Sequence, residues 1–304
     1  MRALVTGATG FVGPYLLAHL RELGDEVLVP GDANGSFDIT DRATVHEVFE
    51  RERPEVVYHL AALSNVAESW RDPTACLRVN VEGTANILDA ARACGTRRVL
   101  AIGSSEEYGQ IDPDCPRLDE TAPLRPVTPY GASKVAASFL ALQAWIGSGL
   151  ETIRVRAFSH TGPGQSDRFV VPALARRIVE AERAQSPSIA IGARDPVREL
   201  SDVRDVVRAY RLLVEHGEPG EVYNVCSGNG VTIGEIADRL VARAGSGLGV
   251  AVDDALVRPV EVPRLVGDPT KLIDATGWSP QHSLDDTLGD VLAHARAQPG
   301  AQGS

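Results

Sequence analysis

Short apolar runs alternate with amphipathic segments along most of this 304-residue chain. A short apolar run predicts a buried strand, whereas apolar residues that recur every three or four positions predict one face of a helix. On this basis we predict strands over residues 3–5, 26–29, 56–62, 98–103, 152–158 and 221–225, and helices that begin near residues 12, 40, 80, 129, 170 and 233. Strands that alternate with helices form a parallel sheet covered on both faces, so the pattern predicts a doubly wound α/β fold.

The chain shows no low-complexity linker and no internal repeat. We therefore predict a Rossmann-type domain over residues 1–158, to which a later segment near 203–226 returns. A smaller, partly interleaved C-terminal lobe is expected over residues 159–300. At this length the chain can bury a substantial core.

Composition narrows the class of protein. The formal net charge of -11 argues against a nucleic-acid partner, because a phosphate backbone calls for a basic surface. No apolar run is long enough to span a bilayer, and the chain enters a strand-like run too early to leave room for a signal peptide. The four cysteines are scattered without metal-ligand spacing, which predicts no metal site and favours a reducing compartment. We therefore expect a cytoplasmic protein.

The turn between the first strand and the first helix is rich in glycine and reads Thr6-Gly-Ala-Thr-Gly-Phe-Val-Gly13. Strand, glycine-rich turn and amphipathic helix in this order form the first half of a dinucleotide-binding unit. The glycines let the backbone approach a pyrophosphate, which then lies on the N–H groups and positive dipole of the helix N-terminus. A tight turn without a ligand is the alternative. The cofactor contacts predicted in this turn are Gly7, Thr9, Gly10, Phe11, Val12 and Gly13.

The end of the second strand bears on the choice of cofactor. An acidic residue at Asp32 would bond the adenosine ribose hydroxyls of NAD, with a plain turn residue as the alternative. Residues 27–41 contain no arginine or lysine for the 2'-phosphate of NADP. The sequence therefore predicts NAD or NADP, with NAD slightly favoured. Asp38 and Ile39 are candidates for contact with the adenine, although Asp38 can equally cap the next helix.

The third strand ends on the small residues of His59-Leu-Ala-Ala62. Small side chains let a nicotinamide ring lie close, so we predict cofactor contacts at Leu60, Ala61 and Ala62. His59 itself lies within the strand, and we interpret it as a hydrogen-bonded core histidine rather than a catalyst.

Tyr130 and Lys134 lie four residues apart after Pro129, which is suited to a first helical turn. Only two of the 30 basic residues are lysines, and Lys134 is one of them. On a helix the two side chains share a face, and a nearby ammonium stabilises a phenolate, so we expect Lys134 to lower the pKa of Tyr130. A surface pair without a function is the alternative.

The glycine turn together with Tyr130-x-x-x-Lys134 resembles the extended short-chain dehydrogenase/reductase family, over essentially the whole chain. Asn80-Val-Glu-Gly-Thr84 and the Gly162-Pro-Gly164 loop support the resemblance. The family's catalytic Ser or Thr lies four residues before a Tyr-Gly pair, which selects Ser104. The resemblance implies that Ser104 bonds the reacting oxygen, that Tyr130 is the acid or base, and that Lys134 tunes Tyr130 while holding the nicotinamide ribose, with Asn80 at the cofactor.

Further motifs resemble the GDP-6-deoxy-4-keto-mannose reductases and their relatives, the GDP-mannose 4,6-dehydratases. These motifs are 103–109, 159–165, 198–205, 223–228 and 258–262. The resemblance implies a GDP-sugar substrate bound by the C-terminal lobe, and a homodimer formed through helices near 83–92 and 130–146. It places Arg258 on the diphosphate and Glu261 on the ribose hydroxyls, where surface ion pairing is the alternative. The remaining predicted substrate contacts are Ser64, Ser105, Ser159, His160 and Arg198.

Three points in these motifs leave the interpretation open. Ser159 replaces the asparagine of the family's Pro-Phe-Asn-His loop, and Arg198 has a structural salt bridge with Asp202 or Asp205 as its alternative. Glu106 follows Ser104-Ser105 as the C5 base does in the dehydratases. We therefore predict an NAD(P)H-dependent reductase of the C4 keto group, with a dehydratase or a 4-epimerase that uses Glu106 as base as alternatives, and a non-catalytic dinucleotide sensor as the least favoured reading.

Overall fold

The computed structural model describes residues 1–31, 37–111, 115–256 and 263–298. Within these residues the strands are β1 (Arg2–Thr6), β2 (Glu26–Leu28), β3 (Val56–His59), β4 (Arg98–Ser104), β5 (Glu151–Ala157), β6 (His160–Thr161), β7 (Ser188–Ile191), β8 (Val197–Glu199), β9 (Ser201–Asp202), β10 (Val222–Val225), β11 (Gly230–Thr232), β12 (Gly249–Val252) and β13 (Arg264–Leu265). The α-helices are α1 (Val12–Glu22), α2 (Arg42–Glu52), α3 (Val66–Arg71), α4 (Pro73–Leu77), α5 (Gly83–Cys94), α6 (Pro129–Ser148), α7 (Val170–Ala184), α8 (Val203–His216), α9 (Ile233–Ala244), α10 (Thr270–Thr276) and α11 (Leu284–Ala297).

A six-stranded parallel sheet in the order β10-β5-β4-β3-β1-β2 organises the fold, which confirms the doubly wound α/β prediction. The strand order reverses between β1 and β3, where Thr6 pairs with His59. In open α/β sheets ligands bind in the crevice beyond the carboxyl ends of the strands at such a reversal. The glycine turn follows β1 and the His59-Leu-Ala-Ala62 segment follows β3, so both line this crevice.

Apolar side chains fill both faces of the sheet. Leu16 and Leu20 of α1 pack with α8 against one face, and Val48 and Phe49 of α2 pack with α5 against the other. The strands therefore bury side chains on both sides, as in other all-parallel sheets.

A second hydrophobic cluster lies outside the main sheet, where α7, α9 and α11 pack against one another and α7 packs against β7. The short strands β8, β11 and β13 form a separate three-stranded sheet there. The chain returns from this region through α8, which packs on α1, and adds β10 to the edge of the main sheet.

The helix predicted to begin at Asn80 begins earlier. α4 runs through a π-helical turn, Arg78–Glu82, into α5, so that Asn80 lies inside a helical run. Pro73 opens α4 and the Asp72 carboxylate caps it, accepting the N–H of Ala75. The hydrophobic pattern also did not predict α3, α8, α10 and α11 or the short strands of the second cluster.

Candidate active site

The backbone of the glycine turn leaves no room for a Cβ at two of its positions. Gly7 has φ +70°, and a Cβ there would lie 2.6 Å from the backbone nitrogen of Ala61. A Cβ on Gly13 would lie 2.1 Å from the carbonyl oxygen of Ala8. At Gly10 the protein itself is less demanding, because a Cβ would come within 3.3 Å of the Gly7 carbonyl oxygen only. Gly7 and Gly13 are therefore fixed by the fold, whereas Gly10 leaves space on the open side of the turn.

The N-terminus of α1 is prepared for an anion. Its N-cap residue, Phe11, makes no side-chain capping bond within the described part of the chain, and the first turn of the helix contains no acidic residue. Uncapped N–H groups and the positive end of the helix dipole favour a phosphate at this place. The geometry fits the pyrophosphate of a dinucleotide.

The predicted cofactor and substrate segments meet at Phe11. Its ring stacks on the His160 ring with centroids 6.1 Å apart, and its edge faces Tyr15 at 5.8 Å. The Tyr15 hydroxyl donates to the Pro163 carbonyl at 2.6 Å. Burial lowers the pKa of His160, whose Nδ1 lies 2.9 Å from the Phe158 carbonyl oxygen. The 159–165 loop is thus packed against the start of α1.

The adenosine end of the predicted cofactor site is only partly within the described residues. Asp32, together with Arg258 and Glu261 on the substrate side, lies outside them. Asp38 does not cap α2. Asp41 does so, accepting the N–H groups of Ala43 and Thr44, while Asp38 accepts the N–H and hydroxyl of Thr40 at 2.9 and 2.8 Å. Ile39 is buried in the core beside α5.

His59 is a core histidine, as the sequence analysis interpreted it. It is 5% exposed, and its two ring nitrogens lie 2.8 Å from the Thr6 hydroxyl and 3.0 Å from the Thr84 hydroxyl. Burial lowers its pKa to about 3, and the nearby Lys134 ammonium acts in the same direction. The ring is therefore neutral and supports the crevice floor.

Asn80 positions the loop that follows β3. Its amide oxygen accepts the Leu63 N–H at 2.8 Å, and its amide nitrogen donates to the Leu63 carbonyl at 3.0 Å and to the Ser133 hydroxyl at 2.9 Å. Asn80 is 1% exposed. It therefore ties the predicted nicotinamide loop, which includes Leu60, Ala61 and Ala62, to the helix that carries Tyr130 and Lys134.

Ser104, Tyr130 and Lys134 come together at the carboxyl end of β4. All three are buried, and Ser104 is close enough to Tyr130 for its side chain to lower the pKa of the Tyr130 hydroxyl. The Lys134 ammonium lies 5.9 Å from the centre of the Tyr130 ring and donates to the Ile102 carbonyl at 2.8 Å. The Thr128 hydroxyl caps α6 by accepting the Gly131 N–H at 2.9 Å, which fixes the helical turn that carries Tyr130.

The expected lowering of the Tyr130 pKa is wrong for this structure. Burial raises the pKa of Tyr130, the hydrogen bond with Ser104 opposes the rise, and the carboxylates of Glu106 and Glu107 add to it. Burial also lowers the pKa of Lys134 to about 8, while the Glu107 carboxylate supports the ammonium. Desolvation disfavours both charged forms, so at neutral pH Tyr130 is a protonated acid.

Glu106 lies beside Tyr130 in the short 3₁₀ turn Ser105–Glu107. It is half-buried, and its backbone carbonyl closes against Gly131, where a Cβ would be 2.5 Å away. Its charge acts on the pKa of Tyr130. The structure therefore brings Glu106 to the same place as the catalytic candidates.

The other predicted substrate residues border this region to different degrees. Ser105 is buried next to Ser104, whereas Ser64 is exposed on the loop after β3. The Ser159 carbonyl accepts the Ser201 N–H at 3.0 Å. Arg198, on β8, donates to the Val197 carbonyl at 2.9 Å.

Both acids named as alternative partners of Arg198 bind other arginines. Asp202 pairs with Arg204 at 2.7 Å and Asp205 with Arg208 at 2.9 Å.

Sequence reasoning missed Glu107, which is completely buried behind Ser104. The signal was present, because Ser104-Ser-Glu-Glu107 has the Ser-x-x-Glu spacing of a capping box. Both halves of that box form in the structure. It also missed Thr6 and Thr84, whose hydroxyls hold His59.

Tyr130 and Lys134, one helical turn apart on α6, lie with Ser104 at the carboxyl end of β4. The glycine turn follows β1 at the same edge of the parallel sheet. That combination defines an NAD(P)-dependent oxidoreductase of the extended short-chain dehydrogenase/reductase type. The sequence model of the GDP-mannose 4,6 dehydratase family matches residues 34–291. The chain belongs to this family.

Individual relatives agree with the assignment. GDP-6-deoxy-D-mannose reductase of Pseudomonas aeruginosa is 36% identical over 96% of this chain and 96% of its own length. The structure of RMD from Pseudomonas aeruginosa complexed with NADPH is similar at a TM-score of 0.89, with 35% identity over 97% of this chain and 99% of the other. UDP-glucose 4-epimerase of Thermus thermophilus complexed with NAD is similar at a TM-score of 0.86, with 29% identity over 98% of this chain and 99% of the other.

Proposed function

We propose that the protein reduces the C4 keto group of a GDP-4-keto-6-deoxy-hexose with NAD(P)H. The observation that carries the proposal is the Ser104–Tyr130–Lys134 arrangement, in which Tyr130 is held as a protonated acid beside the cofactor crevice. The similarity to GDP-6-deoxy-D-mannose reductase supports the choice of substrate.

Each residue has a chemical task in this proposal. A bound NAD(P)H supplies a hydride to C4. The Ser104 hydroxyl hydrogen-bonds the keto oxygen, and Tyr130 donates its proton to that oxygen as negative charge develops there, which completes the alcohol. The Lys134 ammonium then stabilises the phenolate that remains. Proton transfer by a positioned acid contributes about 10²- to 10⁴-fold in rate.

The test is a paired assay. The protein is offered GDP-4-keto-6-deoxymannose with NADH or NADPH, and separately GDP-mannose alone, and product mass is followed. We expect a cofactor-dependent gain of two hydrogens on the first substrate and no loss of water from the second. Tyr130→Phe removes the donated proton and should abolish turnover while cofactor still binds. Turnover that survives in Tyr130→Phe would refute the assigned role.

The position of Glu106 favours one alternative, a GDP-mannose 4,6-dehydratase in which Glu106 removes the C5 proton. Its carboxylate acts on Tyr130 from the adjacent turn, which is where such a base is needed. Glu106→Gln separates the two functions, because a reductase keeps its C4 chemistry without a base at this position. Loss of water from GDP-mannose that disappears in Glu106→Gln would establish the dehydratase.

We propose NAD or NADP as the cofactor, with the slight preference for NAD resting on Asp32. The dinucleotide turn supports either, since the pyrophosphate contacts are common to both. Kd values for NADH and NADPH, measured by fluorescence for the natural chain and for Asp32→Ala, decide the preference.

We propose a homodimer built on the outer faces of α5 and α6. Phe139 and Ile146, seven residues apart on α6, are 53% and 74% exposed, and Leu77 of the neighbouring α4 is 45% exposed. Large apolar side chains grouped in this way mark interaction surfaces. Light scattering should give twice the chain mass for the natural protein and a smaller mass for Ile146→Glu.

The domain division and the cellular location are also proposals. Residues 1–158 with the returning segment near 203–226 would bind the dinucleotide, and residues 159–300 the nucleotide sugar. No helix in the described ranges is long and apolar enough to cross a membrane. The four cysteines are free thiols, which supports a reducing compartment such as the cytoplasm.

A further inference from the structure

Glu107 contacts the catalytic serine candidate from behind, on the side away from the crevice. Its Oε1 accepts the Ser104 N–H at 3.0 Å, and the carboxylate is completely buried. In return the Ser104 hydroxyl oxygen accepts the Glu106 N–H at 3.2 Å. A hydroxyl has one hydrogen and two lone pairs, so this bond uses a lone pair and leaves the hydrogen of Ser104 for the reacting oxygen or Tyr130. The capping box thus fixes both the backbone and the rotation of Ser104.

Gly103 makes room for this carboxylate. A Cβ at Gly103 would lie 2.1 Å from the Glu107 Oε1 and 2.5 Å from the Val155 carbonyl oxygen. β4 therefore has no side chain at position 103, next to Ser104, and the Glu107 carboxylate occupies that space.

Arg156 on β5 holds the other side of the Glu107 carboxylate. Its Nε donates to the Glu107 Oε2 at 3.2 Å, and the guanidinium is 4% exposed. Its Nη1 donates to the Tyr108 hydroxyl at 3.0 Å and to the Glu120 carbonyl at 3.0 Å, and its plane lies 4.8 Å from the Tyr108 ring centre. The bonds from Arg156 therefore tie the Glu107 turn to β5 and to the loop that carries Glu120.

The network continues to the edge of the sheet. The Tyr108 hydroxyl donates to the Asn224 side-chain oxygen at 2.7 Å, and Asn224 on β10 is the register partner of Arg156. Asn224 is 0% exposed, and its amide nitrogen donates to the Leu118 carbonyl at 2.8 Å. The end of β4 is thereby fixed to β5, β10 and the 118–120 loop.

The Glu107 charge also reaches Lys134. Burial alone lowers the pKa of Lys134, and the Glu107 carboxylate is the largest contribution that keeps the ammonium protonated. Burial raises the pKa of Glu107, and the Ser104 N–H, Arg156 and Lys134 oppose that rise. Both carboxylate oxygens accept an N–H, Oε1 from Ser104 and Oε2 from Arg156, so the contacts are those of an ionised carboxylate. Opposite charges that are buried together support one another in this way.

We propose that Glu107, held by Arg156, is a positioning residue that orients Ser104 and keeps Lys134 protonated for the reaction. The inference rests on the proposed roles of Ser104 and Lys134, and it adds a residue that touches neither substrate nor cofactor. Its place behind Ser104 sets it apart from its neighbour Glu106, which faces Tyr130.

The test compares Glu107→Gln with Glu151→Gln. Glu151 forms the ion pair with Arg98 at the opposite end of the same two strands, with Nε–O and Nη2–O distances of 2.8 and 2.7 Å, so it reports on ion pairing without contact to Ser104. Natural protein that is active, with Tyr130→Phe inactive, first establishes the proposed function independently. Glu107→Gln should lower kcat by about 10- to 100-fold, as expected when a reacting group is misplaced. KM and the Kd for cofactor should stay unchanged, and Glu151→Gln should leave kcat unchanged.

The pH profile separates positioning from plain stability. Without the Glu107 charge the pKa of Lys134 falls further, so the alkaline limb of kcat should move by about one pH unit toward acid.

A Glu107→Leu/Arg156→Met double variant replaces the buried pair with apolar side chains and should fold, because such replacements restore stability. If Glu107→Gln does not fold, the kcat of this double variant tests the proposal instead. Low kcat in the folded double variant supports the proposal. Natural kcat in either variant, or an unmoved alkaline limb, overturns it.

Discussion

Replacing His59 by glutamine tests whether this buried ring is held neutral. The Thr84 hydroxyl donates to the Asn80 carbonyl at 2.6 Å, so its oxygen must accept a hydrogen from Nε2 of His59. Nδ1 then accepts from the Thr6 hydroxyl at 2.8 Å. The network therefore selects the neutral ring with its hydrogen on Nε2, and a second ring proton would oppose the bond to Thr6.

The size of the effect follows from the pKa of His59. Burial lowers it from 6.5 to about 3. Between these values the unfolded chain binds a proton that the folded chain does not. The contribution of His59 to the free energy of unfolding is therefore fully present above pH 6.5 and is lost as the pH falls toward 3. The full difference amounts to about 5 kcal/mol, of which about 2 kcal/mol is lost by about pH 5.

The assay is urea unfolding of the natural chain and of His59→Gln at about pH 7.5 and about pH 5. Glutamine does not titrate, so the natural chain's advantage in free energy of unfolding should shrink by about 2 kcal/mol between the two pH values. His216→Gln is the matched control for replacing a histidine by glutamine, since the His216 side chain is 54% exposed whereas His59 is buried. A difference between the natural chain and His59→Gln that is independent of pH would show that His59 is not held neutral.

Three further predictions concern the glycine turn, Lys134 and Glu199. Gly10→Ala should fold but bind cofactor more weakly, whereas Gly13→Ala should disrupt the turn because its Cβ would lie 2.1 Å from the Ala8 carbonyl oxygen. Cofactor titration and the melting temperature distinguish the two variants. Equal affinities and equal melting temperatures would contradict this interpretation of the turn. The reductase rate should fall above about pH 8, where Lys134 loses its proton, and a rate that stays flat to about pH 10 would refute that role. Burial raises the pKa of Glu199 to about 7, so the folded chain resists its ionisation and stability should fall by about 3 kcal/mol as the pH rises from 4.5 through 7; urea unfolding of Glu199→Gln should lack this slope.

The sequence by itself determined the features that depend on neighbouring residues. The glycine turn was readable because strand, turn and helix follow one another within 22 residues, and its demands on Gly7 and Gly13 are those of the backbone. Tyr130 and Lys134 were readable because a helix places residues four apart on one face. The parallel sheet followed from the alternation of strands and helices.

The elements that were not predicted include α11 and the short strands of the second cluster, and also α8 and α10, which belong to the main core. β8 has three residues and β13 has two, so neither contains enough of a pattern to recognise. Asn80 lies in the π-helical turn Arg78–Glu82, in the middle of a helical run rather than at its start. The spacing of apolar residues does not reveal such a turn.

The electrostatic character of the site was decided by tertiary structure alone. Local spacing predicted that Lys134 lowers the pKa of Tyr130, but the fold buries Tyr130 and brings two carboxylates near, and these raise its pKa. The Glu107–Arg156 pair joins residues 49 positions apart. Desolvation and contacts between distant residues arise only when the chain is folded, so no local pattern encodes them. For that reason the sequence identified the candidate catalytic residues, and the fold sets their protonation states.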